Sequence, residues 1–352
     1  MRPFPTLASS RRWLAALLLS AIGASAATGA AAAQTELHIG ISNRSLLGLP
    51  ILIAKEKGFF DKEGLAVSID YFAGGVPATA ALIGGSVQFI DAAFENNLKA
   101  VKRGQDVVSV VNLQTDFAGA VIARKDVAAR LGRAPTVQDL KGLRIGTLAR
   151  GGFADVSTRY IVADAGLDPE KDIAIVPVRG ADRQLAAGEA GEIDAAFVME
   201  PWNVIAVDAG GKWDYVLDLT RGQGPSVFQG LGYTTLQTTR AYVKDNRETA
   251  DKVVRAVVAA LQYIVDPTNL DAVAEVANEE YGKPGVAVIK TSLQRQAHTF
   301  SPQLTPAAQE KTGHLLLQSD SIKPPVPSFA DAVDDSFRPL WDAFKAPQAA
   351  AR

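Results

Sequence analysis

The chain has 352 residues, a formal net charge of −2 and no cysteine. The lack of cysteine excludes disulfides, thiolate chemistry and a lipid-modified cysteine at the start of a mature chain. The mildly acidic balance argues against a nucleic-acid partner. A composition of 47% hydrophobic and 21% charged residues is typical of a globular protein, and the length suffices for two compact lobes.

The first 33 residues have the pattern of an export signal. Arg2, Arg11 and Arg12 give a basic start, Leu14–Ile22 is a short apolar stretch, and small residues follow as far as Ala33. We predict cleavage near Ala33, which would change the formal charge from −2 to −5 and release a soluble periplasmic protein. A retained membrane anchor is the alternative, although the apolar stretch is too short to span a bilayer. The general secretory route is favoured over the twin-arginine route, because the basic start matches a twin-arginine signal only in part.

The chain contains one unit twice. The segments Ile90–Phe94 and Ile193–Phe197 have the same five residues, Ile-Asp-Ala-Ala-Phe. In each copy this segment follows strand and helix patterns in the same order, which makes a chance match less convincing. Strands that alternate with helices predict right-handed crossovers and a mostly parallel sheet in each copy.

The predicted elements run in chain order through both copies. Those of the first copy are strand Leu37–Ile41, helix Leu49–Glu63, strand Val67–Tyr71, helix Pro77–Ile83, strand Gln88–Ala92, another helix and strand Val107–Val111. Those of the second are strand Leu143–Thr147, helix Phe153–Ala165, strand Ile173–Val178, helix Ala181–Ala187, strand Ile193–Val198, another helix and strand Trp213–Leu217. The chain is expected to cross between copies near Ala118–Arg124 and to return near Leu231–Arg240. Four helices follow, over Arg247–Val265, Leu270–Tyr281, Val286–Gln296 and Pro306–Gln318.

This order predicts two doubly wound α/β lobes joined by two crossings. The first lobe is expected over residues 34–121 and the second over 122–232. Residues 233–345 are expected to return to the first lobe and pack helices on it, and residues 346–352 to form a disordered tail.

Ligands of open parallel sheets sit beyond the carboxyl ends of the strands, where loops enter helices. Two glycine pairs lie just before predicted helices there, so backbone amides and helix dipoles can approach a negative group. The candidate ligand contacts at these strand ends are Ser42, Arg44, Ser45, Gly74, Gly75, Val76, Glu95, Asn96, Thr115, Arg150, Gly151, Gly152, Phe153, Arg179, Glu200 and Trp202.

The chemistry of these candidates favours a small organic anion or zwitterion. Arg44, Arg150 and Arg179 can each pair with a carboxylate or sulfonate, the alternative being an ordinary solvated arginine. Glu200 and Trp202 leave open a neutral or cationic heterocycle, held by the carboxylate and stacked on the ring. No catalytic residue, metal site or cofactor is predicted, because no ligand-spaced histidine pair, nucleophile elbow or phosphate-binding glycine loop occurs.

Three stretches resemble the nitrate/sulfonate/taurine and thiamine-precursor group of periplasmic binding proteins. The segment Ala54–Leu65 is similar to the A-x-x-x-G-F-F-x-x-x-G-L pattern of that group, and Ala195–Trp202 looks like its second-lobe strand end. The segment Asp139–Gly146 looks like its entry into the second lobe. The resemblance covers about Glu36 to Tyr263 and is specific to the superfamily rather than to one ligand.

The resemblance implies a type II periplasmic binding fold and delivery of the ligand to the permease subunits of an ABC importer, with the binding protein expected to be a monomer. A thiamine or riboflavin precursor is the alternative ligand, and a sensory receptor is an alternative role. The related pyrimidine synthase of yeast thiamine synthesis uses a cysteine-rich iron motif and a histidine. This chain has no cysteine, and His38, His298 and His314 lie outside the predicted cleft loops, so an enzyme is not expected.

Overall fold

The computed structural model describes residues 34–42 and 44–346. The predicted export signal, Asn43 and residues 347–352 of the predicted tail lie outside the described residues. Within the described part, no helix is long and apolar enough to cross a membrane.

The first sheet has five strands in the order β2-β1-β3-β10-β4. Strand β1 pairs in parallel with β2 and β3, and β10 runs antiparallel between β3 and β4. The strands are β1 Thr35–Ile41, β2 Leu65–Tyr71, β3 Phe89–Ala93, β4 Val108–Thr115 and β10 Gly232–Thr238.

The second sheet repeats this arrangement, in the order β7-β6-β8-β5-β9. Strand β6 is parallel to β7 and β8, whereas β5 is antiparallel to β8 and β9. The strands are β5 Gly119–Arg124, β6 Arg144–Thr147, β7 Ala174–Pro177, β8 Ala195–Met199 and β9 Trp213–Asp218. The prediction of two mostly parallel sheets is therefore confirmed.

The antiparallel strand of each sheet is the segment that arrives from the other lobe. The two segments predicted as crossings, Ala118–Arg124 and Leu231–Arg240, contain β5 and β10. Each passes directly into the middle of its sheet, with buried residues along its length. The two connections between lobes run over residues 116–118 and 219–231, and only the first of them is short.

The repeated pentapeptide is not in structural register. Gln88 N donates to His38 O in the first sheet, and Asp194 N donates to Arg144 O in the second. His38 and Arg144 both precede the Ile-Gly pair of the first strand of their copy, so Gln88 is the counterpart of Asp194. The interpretation that Asp91 corresponds to Asp194 is wrong by three residues. The element order carries the duplication, and the five-letter match is a coincidence.

Helices cover the sheets and form the C-terminal segment. Those between the strands are α1 Leu49–Glu56, α2 Phe59–Lys62, α3 Gly75–Ile83, α4 Phe94–Lys102, α5 Lys125–Ala129, α6 Phe153–Asp164 and α7 Ala181–Glu189. The C-terminal ones are α8 Arg240–Asp245, α9 Arg247–Val265, α10 Leu270–Glu280, α11 Val286–Gln296, α12 Pro306–Gln318, α13 Phe329–Ala332 and α14 Arg338–Trp341. The single helix predicted over 49–63 is two helices, because Gly58 has a left-handed φ of 67° that ends the first.

The C-terminal helices share the hydrophobic core of the first sheet. Val253, Val257, Leu261 and Ile264 lie on one face of α9, are buried, and belong to the same cluster as Ile39 of β1. Full burial of such a side chain contributes roughly 1.5–3 kcal/mol, so this face fixes α9 against α1 and α2. The predicted packing of the C-terminal segment on the first lobe is confirmed.

Candidate functional site

A cavity of about 560 Å³ lies between the two sheets, at the carboxyl ends of β2, β7 and β8. Its wall has contributions from the first lobe, the second lobe and the end of α10. The lining residues are Arg44, Ser45, Tyr71, Phe72, Ala73, Gly74, Leu148, Arg179, Gly180, Ala181, Asp182, Arg183, Met199, Trp202, Glu280, Tyr281 and Gly282. We call this space the outer cavity.

Two helices begin at the outer cavity, one from each lobe. Gly74 precedes α3 with φ 126°, and Gly180 precedes α7 with φ 99°. Residues with a side chain rarely adopt these backbone angles, so glycine at both positions allows each strand to turn sharply into its helix. The free amides and the positive end of the helix dipole therefore approach the cavity from both sides, which favours a negative group.

Arg44 occupies one side of the outer cavity. Its Nη1 lies 3.3 Å from Glu280 Oε1, and its guanidinium lies 4.3 Å from the centre of the Tyr71 ring. Burial and a hydrogen bond to Glu280 raise the pKa of Tyr71 above its ordinary value, so this phenol stays neutral. Glu280 partly balances the charge of Arg44. Together with Tyr71, Glu280 holds the Arg44 guanidinium in place at the edge of the cavity.

Arg179 and Arg183 supply positive charge from the opposite lobe. Both are exposed at the outer cavity, on either side of the start of α7. Within the described residues neither guanidinium lies in an ion pair. Asp182 is the acidic residue between them. The second lobe thus presents two available cations beside a helix N-terminus.

A smaller cavity of about 90 Å³ lies beside the outer one and shares the lining residues Ala73, Gly74, Leu148 and Met199 with it. Its remaining lining residues are Ser42, Leu47, Gly75, Val76, Pro77, Ala93, Glu95, Asn96, Phe117, Ala149, Gly152, Phe153, Ala154, Phe197 and Tyr233. We call this space the inner cavity.

Four aromatic rings form most of one wall of the inner cavity. The ring centres of Phe117 and Phe153 lie 5.1 Å apart in a stacked arrangement, and that of Tyr233 lies 4.6 Å from that of Phe153. Phe197 packs on Phe117 at 4.8 Å. Aromatic pairs at these distances add about 0.5–1.5 kcal/mol each beyond burial, so this wall is rigid.

Glu95 faces the inner cavity from the first turn of α4. Its side chain is 1% exposed, and its Oε2 lies 2.5 Å from Lys99 Nζ one turn further along the helix. Lys99 Nζ also donates to Gly151 O of the second lobe at 2.7 Å. Burial raises the pKa of Glu95, and the Lys99 charge opposes that rise.

Two further contacts hold the lobes together across the cleft. Trp202 Nε1 donates to Arg44 O at 3.4 Å, and Leu46 N donates to Glu200 O at 3.4 Å. Tyr281 Oη donates to Ser45 O at 2.5 Å, which fixes the same loop from the C-terminal segment. The structure therefore has the lobes in contact around the two cavities.

Most of the residues predicted as ligand contacts line one of these cavities. The outer cavity includes Arg44, Ser45, Gly74, Arg179 and Trp202, and the inner one includes Ser42, Gly74, Gly75, Val76, Glu95, Asn96, Gly152 and Phe153. Residues predicted from their position at strand ends therefore lie around the same cavities, although some of them are more than 100 positions apart in the chain.

Four predicted contacts lie elsewhere. Glu200 is 1% exposed and pairs with Arg295, with its Oε1 3.0 Å from Nε, and burial raises its pKa. Thr115 donates to Thr299 O and lines a separate cavity of about 880 Å³ near the connections between lobes. Arg150 Nη2 donates to Ile175 O at 3.4 Å, and Gly151 O accepts from Lys99. In this structure none of the four lines the outer or inner cavity.

Polar outer-cavity residues that the sequence did not predict include Tyr71, Arg183, Glu280 and Tyr281. Arg183 lies four residues after Arg179, in the first turn of the predicted helix Ala181–Ala187. Its place beside Arg179 at the cavity could therefore have been predicted from the sequence. Glu280 and Tyr281 come from a C-terminal helix end, and nothing local in the sequence indicates that this end returns to the cleft.

The fold matches that of solved periplasmic binding proteins. The alkanesulfonate-binding protein SsuA from Xanthomonas axonopodis pv. citri has a TM-score of 0.69 and 20% identity, with 86% of this chain and 99% of that one covered. The type II periplasmic binding fold is confirmed by this likeness. The desulfurization enzyme DSZB is similar in fold as well, with a TM-score of 0.60 and 18% identity over 88% of this chain and 99% of that one.

Relatives in sequence extend over most of the chain. A Bacillus subtilis (strain 168) protein called binding protein YtlA is 25% identical over 80% of this chain and 81% of its own length. One called aliphatic sulfonates-binding protein, from the same organism, is 25% identical over 91% of this chain and 92% of its own. The profile of the NMT1-like family matches residues 30–278. This match spans both sheets and the start of the C-terminal helices, and the chain belongs to the NMT1-like family.

Proposed function

We propose that this protein is the periplasmic solute-binding component of an ABC importer and that it captures a small organic anion in the outer and inner cavities. The observation that carries the proposal is the convergence of two helix N-termini, after Gly74 and Gly180, on a cavity that also contains Arg44, Arg179 and Arg183. An anionic group is the ligand chemistry that this arrangement complements best.

The energetics require both lobes. Micromolar affinity needs about 8 kcal/mol, whereas one helix N-terminus contributes about 0.3–2 kcal/mol and one hydrogen bond to a charged group about 1.5–3 kcal/mol. Arg44 and the start of α3 alone fall short of that total. Addition of Arg179, Arg183 and the start of α7 reaches it, so closure of the lobes on the ligand is part of the proposed mechanism.

The proposed ligand class is a sulfonate, taurine-like acid or carboxylate, and the name of one relative supports the sulfonate. The Bacillus subtilis relative with the widest coverage given above is called an aliphatic sulfonates-binding protein. Its name supports a sulfonate, and the arginines and helix starts of this chain suit the same group. Export by the predicted signal and delivery of the ligand to permease subunits complete the proposed role.

The alternatives lose support in this structure. The heterocycle alternative depended on the Glu200 carboxylate, and that carboxylate pairs with Arg295 instead of lining a cavity. For the enzyme alternative, the likeness to DSZB is one of fold alone at 18% identity. We therefore propose a binding role without catalysis, in which the ligand is released unchanged.

A calorimetric titration tests the proposal. Mature protein, from residue 34 onward, should bind at least one of ethanesulfonate, 4-methylbenzenesulfonate, benzoate or acetate with a Kd below about 100 μM. Dialysis and mass analysis should then recover the ligand unchanged. The absence of binding for all four anions, together with tight binding of an uncharged or cationic heterocycle, would overturn the anion proposal.

A further inference from the structure

We infer that the ligand is an aryl anion with a neutral hydrogen-bond donor, such as a hydroxyl, at the end opposite its charge. In this inference, which rests on the proposed function, the anionic group lies in the outer cavity. The ring passes between Gly74 and Met199, and the donor reaches Glu95 in the inner cavity.

The first observation is a buried acceptor that faces the inner cavity. Glu95 is 1% exposed and lines this cavity, yet its Oε1 accepts no hydrogen bond from any described residue. An unpaired buried polar atom destabilises the folded state, and more strongly when it is charged. A ligand donor placed there would remove that cost, so the site favours ligands that carry one.

The second observation concerns the charge of the donor. The other carboxylate oxygen of Glu95 already lies 2.5 Å from Lys99 Nζ, which is itself largely buried. An ammonium group on the ligand would share one carboxylate with Lys99 in a space of low dielectric, and the two cations would repel each other. A neutral donor satisfies Oε1 without that repulsion.

The third observation concerns the body of the ligand. Phe153 is half-buried and lies against Phe117 and Tyr233, so its ring forms a flat apolar wall. The inner cavity has about 90 Å³, whereas one water needs about 10–15 Å³ on the same measure. Several non-hydrogen atoms therefore fit, and a ring stacked along this wall uses the space best.

The test compares three aryl sulfonates that differ only at the far end of the ring. They are 4-methylbenzenesulfonate, 4-hydroxybenzenesulfonate and 4-(aminomethyl)benzenesulfonate, titrated calorimetrically into the mature protein at pH 7. We expect the hydroxyl compound to bind about tenfold more tightly than the methyl compound, the gain of one hydrogen bond to a charged acceptor. The ammonium compound should bind no more tightly than the methyl compound.

Variants assign the effect to Glu95. In Glu95→Gln the preference for hydroxyl over methyl should fall below threefold. In Glu248→Gln, a change at an exposed residue of α9 that lines neither cavity, it should remain about tenfold. Circular dichroism checks that both variants fold. The comparison of ligands on the unaltered protein decides the inference even when Glu95→Gln does not fold.

The outcomes separate the two proposals. Equal binding of the three sulfonates, or tightest binding of the ammonium compound, overturns the inference while the anion-binding function stands. The absence of binding for these sulfonates and for the simpler anions overturns the proposed function, and the inference with it.

Discussion

Arg295 Nη2, on the C-terminal helix α11, lies 2.7 Å from Asp218 Oδ2 at the end of β9. The same guanidinium reaches Glu200 Oε1 through Nε at 3.0 Å. Both carboxylates are almost completely buried, at 2% and 1% exposure. The C-terminal segment, whose helices pack on the first lobe, is therefore joined to the second lobe by a largely buried cation between two buried anions.

Replacement of this cation should strongly destabilise the protein. Arg295→Met removes the cation that pairs with Glu200 and leaves Asp218 with Arg221 alone, and an uncompensated buried charge costs about 3–5 kcal/mol. Urea unfolding should show that loss in the free energy of unfolding. Arg130→Met, at an exposed ion pair with Asp126, is the control and should change stability by less than about 1 kcal/mol. A similarly small change in Arg295→Met would contradict the assignment.

Replacement of Arg179 or Arg183 should weaken anion binding, whereas replacement of Arg150 should not. Arg179→Ala and Arg183→Ala should each raise the Kd for an anionic ligand about tenfold or more, because each removes a charged donor. Arg150→Ala should leave the Kd within about threefold, since the Arg150 guanidinium contacts Ile175 O instead of lining a cavity. Calorimetry with the tightest-binding anion measures all three. Unchanged affinity in Arg179→Ala and Arg183→Ala would remove the electrostatic basis of the proposed function.

Asp91 should make stability depend on pH. Asp91 is fully buried, and its Oδ1 accepts a hydrogen bond from Ser42 N at 2.5 Å. Burial raises its pKa from 3.8 to about 7. The folded state therefore keeps a proton that the unfolded chain releases above pH 4. The contribution of Asp91 is fully present below about pH 4. It is lost as the pH rises toward 7, at up to about 1.4 kcal/mol per pH unit.

The variant Asp91→Asn cannot ionise, so its stability relative to the unaltered protein should increase between pH 4 and pH 7. Urea unfolding at pH 4, 5.5 and 7 measures this difference. Asp194→Asn is the matched control, because hydrogen bonds from Arg144 lower the pKa of Asp194. Its carboxylate is therefore charged in both states above about pH 5, and the difference should be constant from pH 5.5 to 7. Parallel curves for Asp91→Asn and the unaltered protein would show that Asp91 does not titrate in this range.

Gly180 should affect both stability and binding. An added side chain is strained at a φ of 99°, and its Cβ would lie 2.6 Å from Asp182 Oδ1, so Gly180→Ala should lose about 1–2 kcal/mol of stability and weaken anion binding. Gly211→Ala, also at positive φ but with no atom within 4 Å of the new Cβ and away from the cavities, should lose comparable stability and keep its affinity. Equal affinity in the two variants would argue against a ligand at the start of α7.

The sequence predicted eight of the ten strands and most helices, because local patterns determine those features, whereas β5 and β10 were expected only as crossings. Helices α9 and α11 begin and end at the predicted residues, since apolar residues recur along one face of each. The register of the repeat was not accessible in the same way. Asp91 and Asp194 share their flanking letters, and only hydrogen bonds between strands reveal that Gln88 is the true counterpart.

The composition of the site was harder to predict than its place. Glu200 stands at a strand end as expected, but its partner Arg295 comes from a helix 95 positions later. Glu280 and Tyr281 enter the outer cavity from the same distant segment. Such contacts depend on how the C-terminal helices pack against both lobes, and no local pattern of residues encodes that packing.

The position of β5 and β10 has a consequence for how the molecule can be engineered. All five strands of the second sheet lie within residues 119–218, whereas the first sheet needs segments from both sides of that stretch. The second sheet is thus formed by one continuous segment, which is inserted between the two segments that form the first sheet. Exchange of residues 119–218 with the corresponding segment of a relative would transfer Arg179, Arg183 and the start of α7 together. Arg44, Glu95 and the C-terminal helices would stay in place. Chimaeras made in this way could separate the recognition chemistry of one half of the cleft from that of the other.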